Sequence, residues 1–307
     1  MTAFFDRPRL LLALASLLWA GNVVIGRYVV DSVSPVLLAQ IRWTGAFLIL
    51  LCITGAKLPY YIPEARRHAR LILAASLTGI SAYNAMSYIA LEMTSATNVL
   101  IFQSFGPIGV ALWAYWLYRE PLTWKQGLGI LLSLTGVLCL VSKGTIETFL
   151  TLTFNKGDIW AIAAIFLYGL YTALMKRRPA MPPIVFLTFL VGVGQACLVP
   201  VSFIDWQIDP RLSLSPSALL AYGYVVFFPS VLAFLFFNRG VELIGPNSAS
   251  PYLHLIPAFG IGLAVLFLGE RLSLYHAIGF MLILTGVFTA SYRKRQSLVN
   301  QNDKNSL

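Results

Sequence analysis

Charged residues are scarce in this chain, and the acidic ones are fewer than the basic ones. Only 11% of its 307 residues are charged, whereas soluble domains carry roughly 25%. Hydrophobic residues make up 58%, and the mean hydropathy is +0.76. This balance excludes a soluble globular protein. It predicts a chain embedded in lipid, with too few residues for a large additional soluble domain.

The chain also has few groups that could bind metals or form cross-links. Its three cysteines, Cys52, Cys139 and Cys197, each lie within an apolar run and have no His or acid nearby. Neither a disulfide framework nor a metal site is indicated, and no cofactor is expected.

Acidic residues are missing from the predicted membrane interior. All 12 lie at predicted helix ends or in connections, and no Ser/His/Asp set or His–acid pair falls inside an apolar segment. Acid–base chemistry needs such partners, so the sequence predicts that the protein is not an enzyme. Because proton relays typically use intramembrane carboxylates or histidines, carboxylate-driven coupling is disfavoured, and His254 is left as the intramembrane candidate that titrates near neutral pH.

Apolar segments long enough to cross a bilayer, by contrast, are abundant. A helix needs roughly 20 apolar residues to cross the bilayer core. The first segment starts like a signal peptide, but its apolar run continues to Val30, so we predict a retained helix. The predicted fold class is therefore an all-α membrane protein with ten transmembrane helices. These lie near residues 10–30, 35–55, 71–91, 97–118, 125–142, 157–176, 183–204, 217–238, 247–268 and 274–292.

The basic residues cluster at the ends of these segments. The formal net charge is +10, but no basic stripe with interleaved aromatic residues is present, so nucleic acid is not an expected partner. With both termini on one side, that side holds sixteen of the 22 Lys and Arg residues, the opposite side holds five, and Arg42 is left inside a span. This asymmetry follows the positive-inside bias and predicts that both termini are cytoplasmic.

The two halves of the chain are similar at an offset of 150 residues. Residues 106–137, GPIGVALWAYWLYREPLTWKQGLGILLSLTGV, align with residues 256–287, IPAFGIGLAVLFLGERLSLYHAIGFMLILTGV. We therefore predict two repeats, one over 1–145 with helices 1–5 and one over 146–307 with helices 6–10 and a short basic tail. Because five is an odd number, the second repeat would cross the bilayer in the opposite sense. Inverted repeats are typical of transporters that expose a central site alternately to the two sides.

These paired stretches resemble the two EamA-type repeats of the drug/metabolite transporter superfamily, over residues 10–292. The aromatic-rich segments LLWAGNVVIGRY and SAYNAMSYIALE are similar to the YddG-type inner-membrane exporters of amino acids, especially aromatic ones. The first repeat departs from the family's usual Leu-Gly-Glu, with Tyr118-Arg119-Glu120 in its place. The resemblance implies export of small metabolites across the bacterial inner membrane. Helices 1, 3, 4, 6, 8 and 9 are expected to surround a central cavity.

Arg42 is an unusual residue for a membrane span. It lies about 10 Å into predicted helix 2, at roughly 1.5 Å per residue from Pro35. One interpretation is structural: the side chain extends to the interface or binds backbone carbonyls at a broken helix. The other is functional: the guanidinium faces a water-filled cavity and attracts a substrate carboxylate. The sequence leaves both interpretations open.

Aromatic and amide side chains are the other candidates for a substrate site. Trp19 and Asn22 share one helix face, and so do their repeat counterparts Tyr168 and Tyr171. Rings in a cavity would stack flat substrates or attract an ammonium, although Trp and Tyr also serve as packing or interfacial residues.

A further set of polar residues and two prolines lies in the predicted helices 3, 4 and 9. The polar residues either line the cavity or form interhelical hydrogen bonds. The prolines occupy matched positions and are expected to weaken helices 4 and 9, where they would act as hinges. The polar candidates are Tyr83, Asn84, Gln103 and His254, and the prolines are Pro107 and Pro257.

The expected function is export of small metabolites, with amino acids including aromatic ones as the expected substrates. The expected mechanism is alternating access by facilitated diffusion or exchange, since arginine, amides and rings suit an amino acid. The alternative is efflux of drugs or organic cations coupled to a proton gradient. An alternative from a different class is a receptor or assembly protein that does not transport a solute. In such a protein the inverted repeat would have no purpose. The expected partners are a small-molecule substrate and the lipid bilayer, and the protein is expected to be a monomer.

Overall fold

The computed structural model describes residues 2–29, 31–94, 99, 102–150, 154–268 and 274–291. Regular structure in these ranges is helical, apart from an isolated bridge between Val33 and Leu212. We number the main α-helices α1 Pro8–Val29, α2 Pro35–Thr54, α3 Leu58–Arg67, α4 Ala69–Ser76, α5 Ala82–Met93, α6 Gly106–Tyr118, α7 Trp124–Val141, α8 Lys156–Leu174, α9 Pro183–Ile208, α10 Pro216–Phe227, α11 Ala233–Ile244, α12 Leu255–Leu268 and α13 Leu274–Ser291.

Several helices begin at sequence-encoded caps. Ser34 precedes α2 and accepts from the Leu37 amide, while Pro35 occupies the first turn, where its missing N–H costs nothing. Thr123 and Gln126 form a capping box at the start of α7. Asn155 does the same with Asp158 at the start of α8. These caps separate one apolar helix from the next without a long connection.

Six helical stretches of the described chain are long and apolar enough to cross a membrane, namely Pro8–Gly26, Pro35–Arg67, Trp124–Val141, Lys156–Arg177, Pro183–Ile208 and Pro216–Ile244. The segments predicted near 71–91, 97–118, 247–268 and 274–292 are helical where the structure describes them, but their helices are shorter or interrupted. The all-helical architecture is thus confirmed for the described residues, and the count of ten crossings stays a prediction.

The interruptions occur at corresponding places in the two halves. A π-helical turn at Leu77–Ser81 separates α4 from α5, and another at Phe228–Leu232 separates α10 from α11. The helix α6 begins only at Gly106, directly before Pro107. A 3₁₀ turn, Ser250–His254, precedes α12 and its Pro257. Proline cannot donate its backbone N–H, and π turns widen the helix, so each interruption changes which carbonyls are bonded within the helix.

Helices of the two halves pack in matching pairs. The first helix of one half, α1, packs on α11 and α12, and its counterpart α8 packs on α5 and α6. The remaining pairs join equivalent helices directly, since α2 packs on α9 and α7 on α13. Large side chains such as Trp43, Phe186 and Phe237 are buried between these helices, whereas Trp116, Phe203 and Leu220 are exposed on the outer surface. An apolar exterior of this kind suits a lipid environment.

The contact between α7 and α13 depends on glycines. A Cβ added at Gly129 would lie 2.5 Å from the Gly286 carbonyl oxygen, and one at Gly136 would lie 2.7 Å from the Gly279 carbonyl oxygen. Membrane helices approach this closely only where small residues face one another. Gly129 is equivalent to Gly279 in the other half, and Gly136 is equivalent to Gly286. The contact is therefore symmetric, because Gly129 faces Gly286 and Gly136 faces Gly279.

Ion pairs mark the two ends of the span Pro216–Ile244. Just before it begins, Arg211 pairs with Glu92 at the end of α5 (2.6 Å) and with Asp209. The hydrogen bond from Arg211 lowers the pKa of the Asp209 carboxyl, which lies outside the spans. At the other end of the span, Glu242 pairs with Arg178 (2.5 Å) and Arg239 (2.9 Å), and Arg239 also pairs with Asp6 (2.8 Å). In the alignment of the two halves, Glu92 and Glu242 are equivalent residues.

Candidate functional site

A cavity of about 950 Å³, counting its opening, lies among the interrupted helices. It reaches along α1 from Trp19 to Gly26 and along α5 from Tyr83 to Leu91, towards the end that carries the Glu92–Arg211 ion pair. On the other side of Trp19, Ser16 is fully buried and donates to the Tyr252 carbonyl oxygen (2.8 Å). The described lining therefore extends from Trp19 towards the Glu92 end of α5, and buried packing begins at Ser16 on the other side of Trp19.

Most of the residues singled out in the sequence line this cavity. Those that do are Trp19, Asn22, Arg42, Tyr83, Asn84, Gln103, Tyr168, His254 and Pro257. Tyr171 lies outside the lining, because its ring packs against Gly79 and its hydroxyl donates to Asn238 Oδ1 (2.6 Å). Pro107 also lies outside the lining, in the first turn of α6. Lining residues that were not among the candidates are Gly26, Ser87, Tyr88, Leu91, Ser104, Ile165, Phe234, Leu253 and Ile256.

Arg42 is held by hydrogen bonds from two other helices. Its Nε donates to Ser230 Oγ (2.6 Å) and its Nη2 to the Pro229 carbonyl oxygen (3.3 Å), both within the π turn before α11. Its Nη1 donates to Asn84 Oδ1 (2.9 Å) and to the Tyr88 hydroxyl (3.3 Å) on α5. The Arg42 side chain is 3% exposed, so these bonds replace the water that a guanidinium would otherwise bind.

The charge of Arg42 is not balanced by a carboxylate among the described residues that line the cavity. Among the described residues that line it, none is Asp or Glu, and the described chain shows no ion pair to Arg42. A guanidinium has five N–H donors, of which four are bonded as above. The cavity is thus electropositive and keeps one Arg42 N–H without a partner among the described residues.

Aromatic rings form one wall of the cavity. The ring centroids of Trp19 and Tyr168 lie 6.1 Å apart in an edge-to-face arrangement, and those of Tyr83 and Tyr168 lie 4.6 Å apart. Trp19 Nε1 donates to the Pro229 carbonyl oxygen (3.0 Å), the same atom that Arg42 bonds. This shared acceptor places the aromatic wall beside the guanidinium. The arrangement can therefore hold a flat apolar group next to an anionic one.

Two polar atoms in the lining have no hydrogen-bond partner among the described residues. They are Asn22 Oδ1 and the hydroxyl of Tyr168, a residue that is only 3% exposed. Buried polar groups are normally bonded, so each exception needs an explanation, and for a residue that lines a cavity a bound solute or water is one. Both residues line the cavity, where a small movement of the buried atoms would bring them to a solute.

His254 joins the interrupted segments at the cavity. Its Nε2 lies 2.6 Å from the Ser104 carbonyl oxygen and its Nδ1 lies 2.6 Å from Ser133 Oγ. Because a carbonyl only accepts, Nε2 carries a proton. Ser104 and His254 are exactly one repeat offset apart, so this bond links equivalent positions of the two halves. The ring thus both lines the cavity and bonds between helices, the two possibilities that the sequence left open.

The π turns are the part of the site that sequence reasoning missed. Pro229 is the signal that could have revealed one of them, because a proline in the middle of the apolar stretch FFPSVL must interrupt the helix. The other π turn, Leu77–Ser81, has no proline. Its carbonyls at Gly79 and Ile80 accept from Asn84 Nδ2 at 3.3 and 2.9 Å.

Comparisons with known proteins agree with this architecture. The model of the EamA-like transporter family matches residues 8–142 and 155–292. A solved crystal structure is similar, with a TM-score of 0.72 at 18% identity, over 92% of this chain and 96% of that chain. At that identity the likeness concerns the fold alone.

Curated relatives are similar over most of their length. An uncharacterized transporter, YyaM, of Bacillus subtilis (strain 168) is 29% identical, over 87% of this chain and 88% of the relative. An uncharacterized transporter of Archaeoglobus fulgidus is 28% identical, over 95% and 99%. A protein of Salmonella typhimurium named "Probable amino-acid metabolite efflux pump" is 23% identical, over 90% and 91%.

Proposed function

We propose that this chain, which belongs to the EamA-like transporter family, exports amino acids, including aromatic ones, and related small metabolites across the bacterial inner membrane. The family match makes it a membrane transporter and not an enzyme. The substrate and the mechanism are our proposal. The name of the Salmonella typhimurium relative and the resemblance to the YddG-type exporters support the choice of amino acids.

The observation that carries the proposal is the composition of the cavity. One guanidinium, several rings and unpaired amide and hydroxyl groups face the same space, and none of the described lining residues is acidic. A cation of the drug type would leave this positive charge unbalanced and would itself be unpaired, which is costly in a membrane interior. An amino acid brings a carboxylate to the guanidinium and, in aromatic cases, a ring to the wall.

We propose alternating access without proton coupling as the mechanism. A lining that extends from Trp19 towards the Glu92 end, with Ser16 buried on the other side, supports one of the two states that this mechanism needs. The two equivalent halves would supply the other state by exchanging roles. The cavity supports facilitated diffusion or exchange rather than proton-coupled transport, because its described lining offers no carboxylate to carry a proton. Both termini would be cytoplasmic, in line with the charge asymmetry of the connections.

Uptake into liposomes that contain the purified protein tests this function. We expect labelled L-phenylalanine and small neutral amino acids to enter with the same initial rate whether or not a pH gradient is imposed. Unlabelled amino acids should compete, whereas quaternary and aromatic organic cations should not. Liposomes without protein provide the background.

An opposite pattern would favour the alternative function. If amino acids do not enter, but an organic cation does and its uptake follows the pH gradient, the protein is a proton-coupled cation exporter. His254 would then be the residue to examine, because it is the histidine in the described cavity lining.

A further inference from the structure

Among the described lining residues, the groups with unused hydrogen-bonding capacity are of two kinds. The remaining N–H of Arg42 is a charged donor, and the Tyr168 hydroxyl can donate as well. Asn22 Oδ1 is an acceptor that cannot donate. A solute that satisfies all three must therefore carry both an anionic acceptor and a donor.

The packing around Pro229 brings these groups together. Arg42 and Trp19 donate to the same carbonyl oxygen, and the Trp19 ring contacts the Tyr168 ring. Asn22 follows Trp19 by three residues, which is about 4.5 Å along a helix at 1.5 Å per residue. Asn22 is thus one helical turn from Trp19, which contacts Tyr168 and shares an acceptor with Arg42. A solute whose carboxylate and ammonium are attached to the same carbon can bridge such a distance.

We infer that the cavity recognises an α-amino acid headgroup, with the carboxylate at Arg42 and Tyr168 and the ammonium at Asn22. This assignment rests on the proposed function, and it names the residues that would select amino acids among small metabolites. The carboxylate supplies an anion, which the described lining does not contain, and its bonds to Arg42 and Tyr168 are charge-assisted. The ammonium donates one of its N–H bonds to Asn22 Oδ1, so that Asn22 Oδ1, the Tyr168 hydroxyl and the remaining Arg42 N–H each gain a partner. The substrate side chain then lies along the wall formed by Tyr83, Tyr168 and Trp19.

The contributions of the carboxylate and the ammonium to binding can be measured separately with three related ligands. L-Phenylalanine has both groups, 3-phenylpropionate has only the carboxylate, and phenethylamine has only the ammonium, while the ring is the same in all three. We expect 3-phenylpropionate to bind about 10-fold more weakly than phenylalanine, since one hydrogen bond to a charged group is lost. Phenethylamine should bind about 100-fold more weakly, because its charge faces an uncompensated Arg42.

Binding is measured on the purified full-length protein through the rise of its unfolding temperature with ligand concentration, which does not require transport. Asn22→Leu should lower the affinity for phenylalanine about 10-fold and leave that for 3-phenylpropionate within about 2-fold. Tyr168→Phe should lower both affinities by a similar factor of about 10. Asn22→Asp should raise the affinity for phenethylamine by at least about 10-fold, because it adds the missing negative charge.

Two control variants remove hydroxyl groups outside the cavity. Tyr171→Phe changes the same kind of side chain on the same helix, one turn away from Tyr168, where the hydroxyl bonds Asn238. Ser76→Ala removes another buried hydroxyl that has no partner among the described residues, and Ser76 is not part of the lining. Both controls should leave the order of the three ligands as in the unaltered protein.

The inference is overturned if phenethylamine binds as tightly as phenylalanine, or if Asn22→Leu weakens phenylalanine and 3-phenylpropionate equally. Its failure can be told apart from failure of the proposed function. If phenylalanine enters liposomes and phenethylamine competes as well as unlabelled phenylalanine does, the proposed function is supported and the headgroup assignment is wrong. If the ligands bind as expected but no amino acid is taken up, the headgroup assignment is supported and the proposed transport of amino acids is wrong.

Discussion

At the residue scale, Arg42 shows how a single side chain can serve packing and the cavity together. It bonds a backbone carbonyl at a broken helix, as the structural interpretation expected, and it also lines the cavity. The sequence could predict that a guanidinium in a span needs partners. It could not identify them, because Asn84 and Ser230 lie 42 and 188 residues away along the chain.

His254 gives a prediction at the same scale. Replacing it with Ala removes both ring bonds, to the Ser104 carbonyl and to Ser133, so we expect the free energy of unfolding to fall by about 2–4 kcal/mol. The variant His254→Gln can still place an amide N–H near that carbonyl and should recover most of the loss. Thermal unfolding in detergent measures both.

The same variants test whether His254 carries protons. The structural role predicts that His254→Gln takes up phenylalanine with no response to a pH gradient, like the unaltered protein. If His254→Ala keeps its unfolding temperature and instead abolishes a gradient-driven uptake, the histidine is a proton carrier and the structural role is wrong.

At the element scale, the interruptions of the helices explain where the cavity lies. The π turn Phe228–Leu232 frees the Pro229 carbonyl, and this carbonyl binds both Trp19 and Arg42. Apolar length and periodicity predict that a helix exists, so the segments themselves could be read from the sequence. A π turn depends on how neighbouring helices satisfy its carbonyls, and Leu77–Ser81 has no proline to announce it. For that reason the segments were predictable and the interruption in α4–α5 was not.

The α7–α13 contact yields a prediction that distinguishes two neighbouring glycines. A Cβ at Gly129 would lie 2.5 Å from the Ala290 backbone nitrogen, whereas a Cβ at Gly127 would meet nothing within 4 Å. Gly129→Ala must push the helices apart, so we expect it to destabilise the protein by about 1–3 kcal/mol. Gly127→Ala should be neutral, or stabilise by up to about 1 kcal/mol through helix propensity.

Thermal unfolding of the two alanine variants in the same detergent measures this difference. The pair is matched, because both glycines lie in the first two turns of α7 and differ in what faces them. Equal unfolding temperatures for the two variants would contradict the close contact between α7 and α13.

At the scale of the whole molecule, the two halves place similar features at opposite ends of a span. Glu92 pairs with Arg211 at the end that the cavity reaches, and the equivalent Glu242 pairs with Arg178 and Arg239 at the other end. The offset of 150 residues predicted that equivalent residues exist, since it aligns glycines, prolines and acids. Which residues they would pair with could not be predicted, because the basic partners do not follow the repeat.

The accessibility of Ser87 to reagents tests the central claim that amino acids pass through this cavity. Ser87 lines the cavity, and the three native cysteines can be replaced with alanine before Ser87→Cys is introduced. Phenylalanine exchange is then measured in liposomes before and after treatment with a water-soluble, anionic methanethiosulfonate. Lys57→Cys, at an exposed position outside the cavity, is the control.

We predict that the reagent abolishes exchange by the Ser87→Cys protein, that excess phenylalanine slows this loss, and that the modified Lys57→Cys protein exchanges normally. If the Ser87→Cys protein is modified to completion and still exchanges phenylalanine at its original rate, amino acids do not pass through this cavity.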